Sequence, residues 1–451
     1  MVGKSTTESS LSMRISPAVE KMCSLLRENR EGLHRGIYSV CSANHLVIEA
    51  AFSQAALDQS PLLIEATSNQ VNQDGGYTGM TPAQFRDYVT QIASRQHFPL
   101  EQLILGGDHL GPNPWRKQSA EAAMEKACAM IAAYAKAGFG KLHLDASMPC
   151  ADDRLPLTTE TIAKRAAKLC ATAEAAVIGS EFRPVYIIGS EVPTPGGAIE
   201  ELEHIAVTTT ESVRETLSVH ENVFRERGLL SAWERVVGIV VQPGVEFGDD
   251  AVIEFLPDKA SDLAAFIAQQ KQIVYEAHST DYQTAKSLQA LIEKHFGILK
   301  VGPELTYVMR EAVFGLARIE EELISESRRS FIRQVLERAM MENADDWKPY
   351  YHGDEVELRL ARAYSYSDRI RYYWPNTEVS LALARLIDNL RSKPAPLPLI
   401  SQYLPRQADA IRYGLIQNQP RAIIHHRIRE SFSRYAQACN LSMANARARH
   451  H

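Results

Sequence analysis

The sequence lacks the features that mark several large functional classes. No apolar run reaches about 18 residues, so no membrane-spanning helix is expected. The first 12 residues are polar and lack an apolar core, which argues against a secretory signal. The net charge of -6 gives no electrostatic reason to expect nucleic-acid binding. The six cysteines include no Cys-x-x-Cys pair, so we expect reduced thiols in a cytoplasmic protein.

Nucleotide-binding motifs are also absent from the sequence. It contains no Gly-x-x-x-x-Gly-Lys-Ser/Thr segment, and no Gly-x-Gly-x-x-Gly segment follows a predicted strand. The pair Gly75-Gly76 therefore indicates only a loop. What remains is an ordinary globular composition of 451 residues, 45% hydrophobic and 23% charged. That length suits one barrel-sized domain with an extension, or two to three smaller domains.

A repeating pattern of strand, polar loop and amphipathic helix begins near residue 36. Eight apolar segments, each with the polar residues at its end, span 36–41, 61–64, 103–106, 141–147, 184–191, 236–246, 273–279 and 297–304. They are apolar without alternation, which is typical of parallel strands covered by helices. Eight such units predict a (β/α)8 barrel of the TIM type. A doubly wound open sheet is the alternative.

The pattern stops near residue 318, and only helices are predicted beyond it. We expect them at 318–341, 376–392, 405–417 and 420–440. The expected organisation is a flexible N-terminal tail at 1–13, the barrel at 14–317 and a helical extension at 318–445 packed on the barrel.

Polar or charged residues stand at the end of nearly every predicted strand. They are Asn44/His45, Glu65, Asp108/His109, Asp145, Glu191, Gln242/Glu246, His278 and Lys300/Glu304. Active sites of such barrels lie at the C-terminal ends of the strands. One cluster alone is more often a turn or a cap than a catalytic group. Clusters at equivalent positions of eight strands favour one shared active site.

Imidazoles and carboxylates from different strands can surround a divalent metal ion and leave one position open for substrate. We expect His109 and His278 to be ligands, with Glu246 as the third. A salt bridge is the alternative role for Glu246. His143 lies inside its strand, two residues before Asp145, and a satisfied core histidine is the preferred interpretation. The expected ion is Zn²⁺, Mn²⁺ or similar.

Asp108 is the first candidate for proton transfer, since it adjoins a predicted ligand, and Glu65 and Glu191 are further candidates. The Ser279-Thr280-Asp281 turn opens a helix and offers hydroxyl and N–H groups to an anion. Two arginines in an aromatic-rich stretch suit a phosphate clamp, although packing of the extension would also explain that stretch. The expected substrate-binding residues are Asn44, Asp145, Ser279, Asp281, Arg369 and Arg371.

Four motifs resemble the tagatose-bisphosphate aldolase accessory-subunit (GatZ/KbaZ) family. They are IEATSNQVNQ at 64–73, GGDHLGP at 106–112, LHLDAS at 142–147 and YSYSDR at 364–369, and the resemblance spans about 15–440. The family is similar in turn to class II aldolases, which are metal-dependent barrels. Asp108-His109 matches their pair of proton-transfer acid and metal ligand, and His278 matches a later ligand. Glu246 stands where those aldolases have a histidine ligand.

The resemblance implies a metal-dependent epimerase that inverts C4 of a ketohexose phosphate in galactitol or tagatose catabolism. The expected reaction converts D-tagatose 6-phosphate to D-fructose 6-phosphate by retro-aldol and aldol steps. The alternative is a non-catalytic subunit that stabilises a class II D-tagatose-1,6-bisphosphate aldolase. Some family members carry the label tagatose 6-phosphate kinase, which the missing nucleotide motifs do not support. Expected partners are the ketose phosphate, a class II aldolase subunit in the accessory case, and further copies of this chain.

Overall fold

Eight parallel strands form a closed barrel, so the predicted (β/α)8 fold is confirmed. The computed structural model describes residues 14–192, 205–270 and 272–441. The barrel strands are β1 (Ile37–Val40), β2 (Leu62–Thr67), β3 (Leu103–Leu110), β4 (Lys141–Leu144), β5 (Val185–Ile188), β6 (Val236–Val241), β9 (Val274–Ala277) and β10 (Ile298–Val301). β1 pairs with both β2 and β10, which closes the sheet. A short antiparallel hairpin, β7 (Glu246–Phe247) and β8 (Val252–Ile253), lies between β6 and β9.

Helices surround the barrel and continue into the C-terminal part. In the barrel part they are α1 (Pro17–Glu28), α2 (His45–Asp58), α3 (Pro82–Arg95), α4 (Ala120–Lys136), α5 (Thr159–Ala176), α6 (Thr210–Glu226), α7 (Leu230–Trp233), α8 (Ser261–Ile267), α9 (Ala285–Glu293) and α10 (Pro303–Leu323). They are followed by α11 (Ile332–Glu342), α12 (Glu355–Tyr364), α13 (Thr377–Ser392), α14 (Leu397–Tyr403), α15 (Pro405–Arg412) and α16 (Pro420–Ala438). In the described ranges no helix is long and apolar enough to cross a membrane.

The C-terminal helices pack on the outside of the barrel near its seam. α16 contacts α2, α9 and α10, so it covers the outer face of β1. Its Phe432 ring stacks on Tyr38 of β1 at 5.8 Å, and the Tyr435 hydroxyl donates to the Thr280 carbonyl (2.7 Å). The expected boundary at 317/318 lies inside α10, because the last barrel helix continues to Leu323. The single helix expected at 318–341 is therefore the end of α10 followed by α11. The tail expected at 1–13 lies outside the described residues.

The glycines of the GGDHLG segment are required by close packing inside the barrel. A Cβ on Gly106 would lie 2.7 Å from Glu65 Cγ, so the missing side chain leaves room for that glutamate. A Cβ on Gly111 would lie 1.5 Å from the Asp145 carbonyl oxygen, which belongs to the neighbouring chain segment. β3 and β4 can therefore approach at this point only with glycine at 111.

Replacing Gly111 by alanine should destabilise the fold strongly, because the new Cβ would overlap backbone that cannot rotate away. We expect Gly111→Ala to lose about 3 kcal/mol of unfolding free energy in urea titrations. Gly140→Ala is the matched control, since its Cβ would meet only a methyl group of Val19 (2.5 Å), and a smaller loss is expected. Equal losses in the two variants would contradict this explanation.

Candidate functional site

A cavity opens at the C-terminal mouth of the barrel, and together with the solvent-filled space at its opening it spans about 590 Å³. Its walls come from β2, β3, β7 and β10, from the loops after β1, β2, β9 and β10, and from the C-terminal extension. The lining residues are Cys41, Thr67, Asn69, Gln70, Tyr77, Asp108, His109, Phe247, His278, Ser279, Asp281, Lys300, Val301, Gly302, Pro303, Arg371 and Tyr372. The strand-end groups of β3 and β9 and Lys300 of β10 therefore share one space, whereas those of β4, β5 and β6 do not line it.

Two strained backbone positions aim side chains into this cavity. β3 continues through Asp108 and His109 instead of ending at Gly106 as expected. His109 has φ +49° and Ser279, directly after His278, has φ +53°, a region that non-glycine residues rarely adopt. The pairing of β3 with β4 also shifts register between Gly107 and Leu110. Such strain is tolerated where the surrounding structure enforces it, and it is frequent in functional sites.

Three imidazole rings form a triangle at the floor of the cavity. The ring centroids of His109 and His278 are 4.9 Å apart, and His143 lies 5.2 Å from each of them. All three side chains are buried. His143 was expected to be a satisfied core histidine. Its Nε2 atom is instead buried without a hydrogen-bond partner among the described residues, so His143 is available to a ligand.

Two carboxylates complete a candidate metal-binding cluster. Asp108 Oδ1 lies 3.1 Å from His143 Nδ1, and Glu276 Oε1 lies 2.9 Å from His278 Nε2. Ligand atoms of these four residues all lie within 4.8 Å of one another. Two imidazoles and two carboxylates form a donor set suited to Zn²⁺ or Mn²⁺, and the orphaned His143 nitrogen fits the same role. The residues present therefore fit a divalent ion.

His109 is held by a carboxylate rather than by this cluster. Its Nδ1 lies 2.8 Å from Asp145 Oδ2, while Asp145 Oδ1 accepts hydrogen bonds from the backbone N–H (3.1 Å) and hydroxyl (2.7 Å) of Ser147. Its Nε2 lies 3.7 Å from Asp108 Oδ2. Asp145, expected to bind substrate, thus orients His109 and does not line the cavity.

Below the histidines lies a layer of buried charges. Lys141 Nζ contacts Glu65 Oε1 and lies 2.7 Å from Glu276 Oε2. Lys300 Nζ lies 2.8 Å from Glu65 Oε2, contacts Asp108 Oδ1 and lies 3.6 Å from Glu276 Oε1. Each carboxylate of this layer is therefore compensated by at least one ammonium group, as burial of charge requires.

These contacts shift the protonation equilibria of the site. Burial disfavours the charged form of Asp108, but His109, Lys300 and His143 outweigh it, so the pKa of Asp108 lies well below its ordinary value. Burial also opposes protonation of Lys300, yet Asp108 and Glu65 raise its pKa. Burial and the Lys300 charge lower the pKa of His278 to about 3, which leaves a neutral imidazole suited to metal binding.

Glu246, expected to be a ligand, lies apart from the four-residue cluster. It starts the β7–β8 hairpin, is buried, and its Oε1 accepts a hydrogen bond from the Phe247 backbone N–H (3.1 Å). Burial raises the pKa of Glu246 to about 7, although a hydrogen bond with Ser279 opposes this shift.

Two of the three candidates for proton transfer, Glu65 and Glu191, do not line the cavity. Glu65 is fully buried in the charge layer beneath it. Glu191 is exposed, and it accepts hydrogen bonds from the Thr208 (2.7 Å) and Ser212 hydroxyls. Of the three candidates for proton transfer, only Asp108 faces the cavity.

Of the expected substrate-binding residues, some line the cavity and others do not. Ser279 and Asp281 line the cavity. Asp281 accepts hydrogen bonds from the backbone N–H groups of Gly302 (2.8 Å) and Glu304 (2.9 Å) at the start of α10, and burial together with the Glu304 charge raises its pKa to about 7. Asn44 caps α2 by accepting from the Leu46 backbone N–H (3.0 Å) and lines only the adjoining cavity described below.

Of the two arginines expected to clamp phosphate, the structure brings only Arg371 to the cavity. Arg369 donates to the Asp346 carbonyl (3.0 Å) and packs over the Tyr350 ring, away from the lining. Arg371 donates to two backbone carbonyls and to the Tyr372 hydroxyl (2.9 Å). In the described part of the chain no carboxylate forms a salt bridge with it. Its charge is thus free to attract an anion.

A second cavity adjoins the first and, with the solvent-filled space at its opening, spans about 1230 Å³. Arg371, Tyr77, Gln70, Cys41 and Gly302 line both. Its far wall comes from the extension, through residues that include Trp374, Leu383 and Ile387. Arg371 therefore stands where the two spaces meet.

Lys141 and Glu276 were overlooked in the sequence and His143 was misjudged, whereas Lys300 was noted at a strand end without being given a role. Charged residues inside otherwise apolar strands were the available signal. Glu276 precedes His278 by two residues and so shares its face of the strand. The sequence predictions concerned mainly the residues at strand ends, so they did not include the layer of buried charges beneath the histidines.

Similarity to known proteins agrees with this architecture. A family model described as D-tagatose-1,6-bisphosphate aldolase subunit GatZ/KbaZ-like matches residues 22–440. The crystal structure of a probable tagatose 6 phosphate kinase from Sinorhizobium meliloti 1021 is 48% identical, covers 90% of this chain and 100% of its own, and superposes with a TM-score of 0.83. The YdjI aldolase from Escherichia coli K12 is 11% identical, with 81% of this chain and 94% of its own covered and a TM-score of 0.40. A fructose-bisphosphate aldolase from Campylobacter jejuni is 14% identical, with 84% of this chain and 93% of its own covered and a TM-score of 0.41.

Mn²⁺ binding tests the four-residue cluster. We expect His143→Ala and His278→Ala each to weaken Mn²⁺ affinity at least about tenfold, because each removes an imidazole nitrogen from the cluster. Mn²⁺ affinity is measured by electron paramagnetic resonance titration of metal-stripped protein. His220→Ala is the control, since His220 is equally buried but bonds to the Thr216 carbonyl within α6. Unchanged affinity in both cluster variants would remove these histidines from the ligand set.

Proposed function

The chain belongs to the D-tagatose-1,6-bisphosphate aldolase subunit GatZ/KbaZ-like family, and from that premise we propose that it is a metal-dependent sugar-phosphate epimerase. The proposed reaction inverts C4 of a ketohexose phosphate and converts D-tagatose 6-phosphate to D-fructose 6-phosphate. The observation that carries the proposal is the cluster of Asp108, His143, Glu276 and His278. Asp108 and His278 of this cluster line the cavity that Arg371 also lines.

The arrangement suits cleavage and re-formation of the C3–C4 bond. Direct removal of the C4 proton is unfavourable, because that carbon is not acidic without oxidation. Asp108, held as a carboxylate by its neighbours, can instead take the proton of the C4 hydroxyl while the C3–C4 bond breaks. Addition to the opposite face of the resulting aldehyde then inverts C4. A bound divalent ion would polarise the ketose carbonyl group.

Arg371 is the proposed binding group for the substrate phosphate. It is a partly buried guanidinium that forms no salt bridge within the described residues, and it lies at the junction of the two cavities. Planar guanidinium groups bind phosphate oxygens through paired hydrogen bonds. The phosphate would then lie at the extension side of the cavity and the reacting carbons near Asp108.

The second candidate is an accessory subunit that stabilises a class II aldolase, which the family description itself favours. In that role the metal cluster would be dispensable. A tagatose 6-phosphate kinase activity, suggested by the name of the Sinorhizobium relative, is not supported by either of the nucleotide-binding motifs sought in the sequence.

The proposed reaction is tested by following D-tagatose 6-phosphate by NMR with purified protein and Mn²⁺ or Zn²⁺, without ATP or aldolase. We expect D-fructose 6-phosphate to form and EDTA to stop the conversion. Asp108→Asn should lose at least about 100-fold in kcat, because an amide of nearly the same shape can neither accept the proton nor replace the carboxylate in the four-residue cluster. No conversion by the wild-type protein, together with a longer lifetime of a co-expressed class II aldolase, would favour the accessory role.

The phosphate contact is tested by a pair of neighbouring arginines. We expect Arg371→Ala to raise KM for D-tagatose 6-phosphate about tenfold or more, since a charge-assisted hydrogen bond is lost. Arg369→Ala is the matched control, because its guanidinium is two residues away and outside the cavity lining. Equal effects on KM in steady-state assays of both variants would contradict the assignment of Arg371.

A further inference from the structure

Lys300 differs from the other buried lysine of the barrel in one respect. Both ammonium groups pair with Glu65 and Glu276, and neither side chain is more than 5% exposed. The Lys141 ammonium group pairs with those two carboxylates and is enclosed by them. Lys300 also contacts Asp108, and its side chain lines the reaction cavity. Of the two buried lysines, only Lys300 therefore borders the space that a substrate would occupy.

Stability alone does not account for this charge. A buried ion network adds little net stability compared with apolar residues of the same volume, because removing charges from water costs about as much as their attraction returns. Lys141 already compensates Glu65 and Glu276 at the base of the network. A second ammonium directed at Asp108 is expected where a reaction develops negative charge.

We propose that Lys300 is a catalytic residue of this site, which donates a hydrogen bond to the substrate oxygen from which Asp108 takes its proton. The inference rests on the proposed epimerase function. Lys300 Nζ contacts Asp108 Oδ1, and the Lys300 side chain lines the cavity that Asp108 faces. In the proposed role the ammonium turns from Asp108 toward the substrate oxygen when that oxygen binds to the carboxylate.

The proton and electron changes balance without a further reactant. Asp108 takes the proton of the C4 hydroxyl, and the C3–C4 bond breaks. Its electron pair stays with the three-carbon ketone fragment as an enolate, and C4 becomes the carbonyl carbon of an aldehyde. Attack of the enolate on the other face of that aldehyde re-forms the bond, and Asp108 returns the proton to O4. Lys300 stabilises the negative charge on O4 in both directions and transfers no proton.

Chemical rescue by a small amine separates this role from a structural one. We expect Lys300→Ala to lose at least about 100-fold in kcat with a smaller change in KM, as for removal of one donor to a developing oxyanion. Added ethylammonium should restore part of kcat, because the truncated side chain leaves a space open to the cavity. Lys300→Arg, which keeps the charge, should retain more activity than Lys300→Ala.

Lys141→Ala is the matched control. Its loss should lower the melting temperature, because Glu65 and Glu276 lose their enclosed partner, and ethylammonium should restore nothing. Mn²⁺ content and melting temperature are measured for every variant, so that loss of the ion or of the fold is separated from loss of chemistry.

The outcomes separate the two proposals. A wild-type protein that does not convert D-tagatose 6-phosphate overturns the epimerase function, and the role of Lys300 with it. An active wild type with Lys300→Ala folded, loaded with Mn²⁺ and equally active overturns the role of Lys300 alone. A folded Lys300→Ala that is inactive and not rescued, while Lys300→Met keeps the activity, would make Lys300 a packing residue and also overturn the proposal.

Discussion

The rest of the structure depends on the compensation of charges buried inside the barrel. Glu65, Glu276 and Asp108 are carboxylates taken out of water, and Lys141 and Lys300 are the ammonium groups that make this tolerable. Removal of one partner of such a pair typically costs about 3–5 kcal/mol, because an uncompensated charge stays behind. The five side chains therefore fix one another across β2, β3, β4, β9 and β10.

The backbone is shaped to accommodate this network. Gly106 leaves the space that the Glu65 side chain occupies, and Gly111 lets β3 approach the segment after β4. The left-handed residues His109 and Ser279 turn the strand ends so that imidazoles face one another. The positions of the histidines thus depend on the packing of the buried charged residues beneath them.

The C-terminal extension is part of the site rather than a neighbour of it. Asp249, in the β7–β8 hairpin, accepts hydrogen bonds from the hydroxyls of Ser365 (2.8 Å) and Ser367 (2.9 Å). The Tyr282 hydroxyl donates to the Tyr366 carbonyl (2.6 Å), and Asp368 pairs with Arg310 (3.1 Å). These bonds attach the YSYSDR segment to the barrel mouth, and Arg371 lies two residues beyond its end. The extension thereby supplies part of the cavity wall.

The sequence by itself determined the barrel, because long apolar strands alternating with amphipathic helices leave few other ways to bury both faces of a parallel sheet. It also determined that Asp108, His109 and His278 lie at one mouth, since the ends of parallel strands meet there. Only the tertiary structure decided which groups converge. Arg369 and Arg371 differ by two positions in a short helical segment, and only the packing of that segment selects the one that faces the cavity. The barrel brings together His143, Glu276 and the two lysines from strands that are distant in sequence. Their contacts could not be predicted from the sequence, because the partner of a charged residue within a strand depends on which strands lie opposite it.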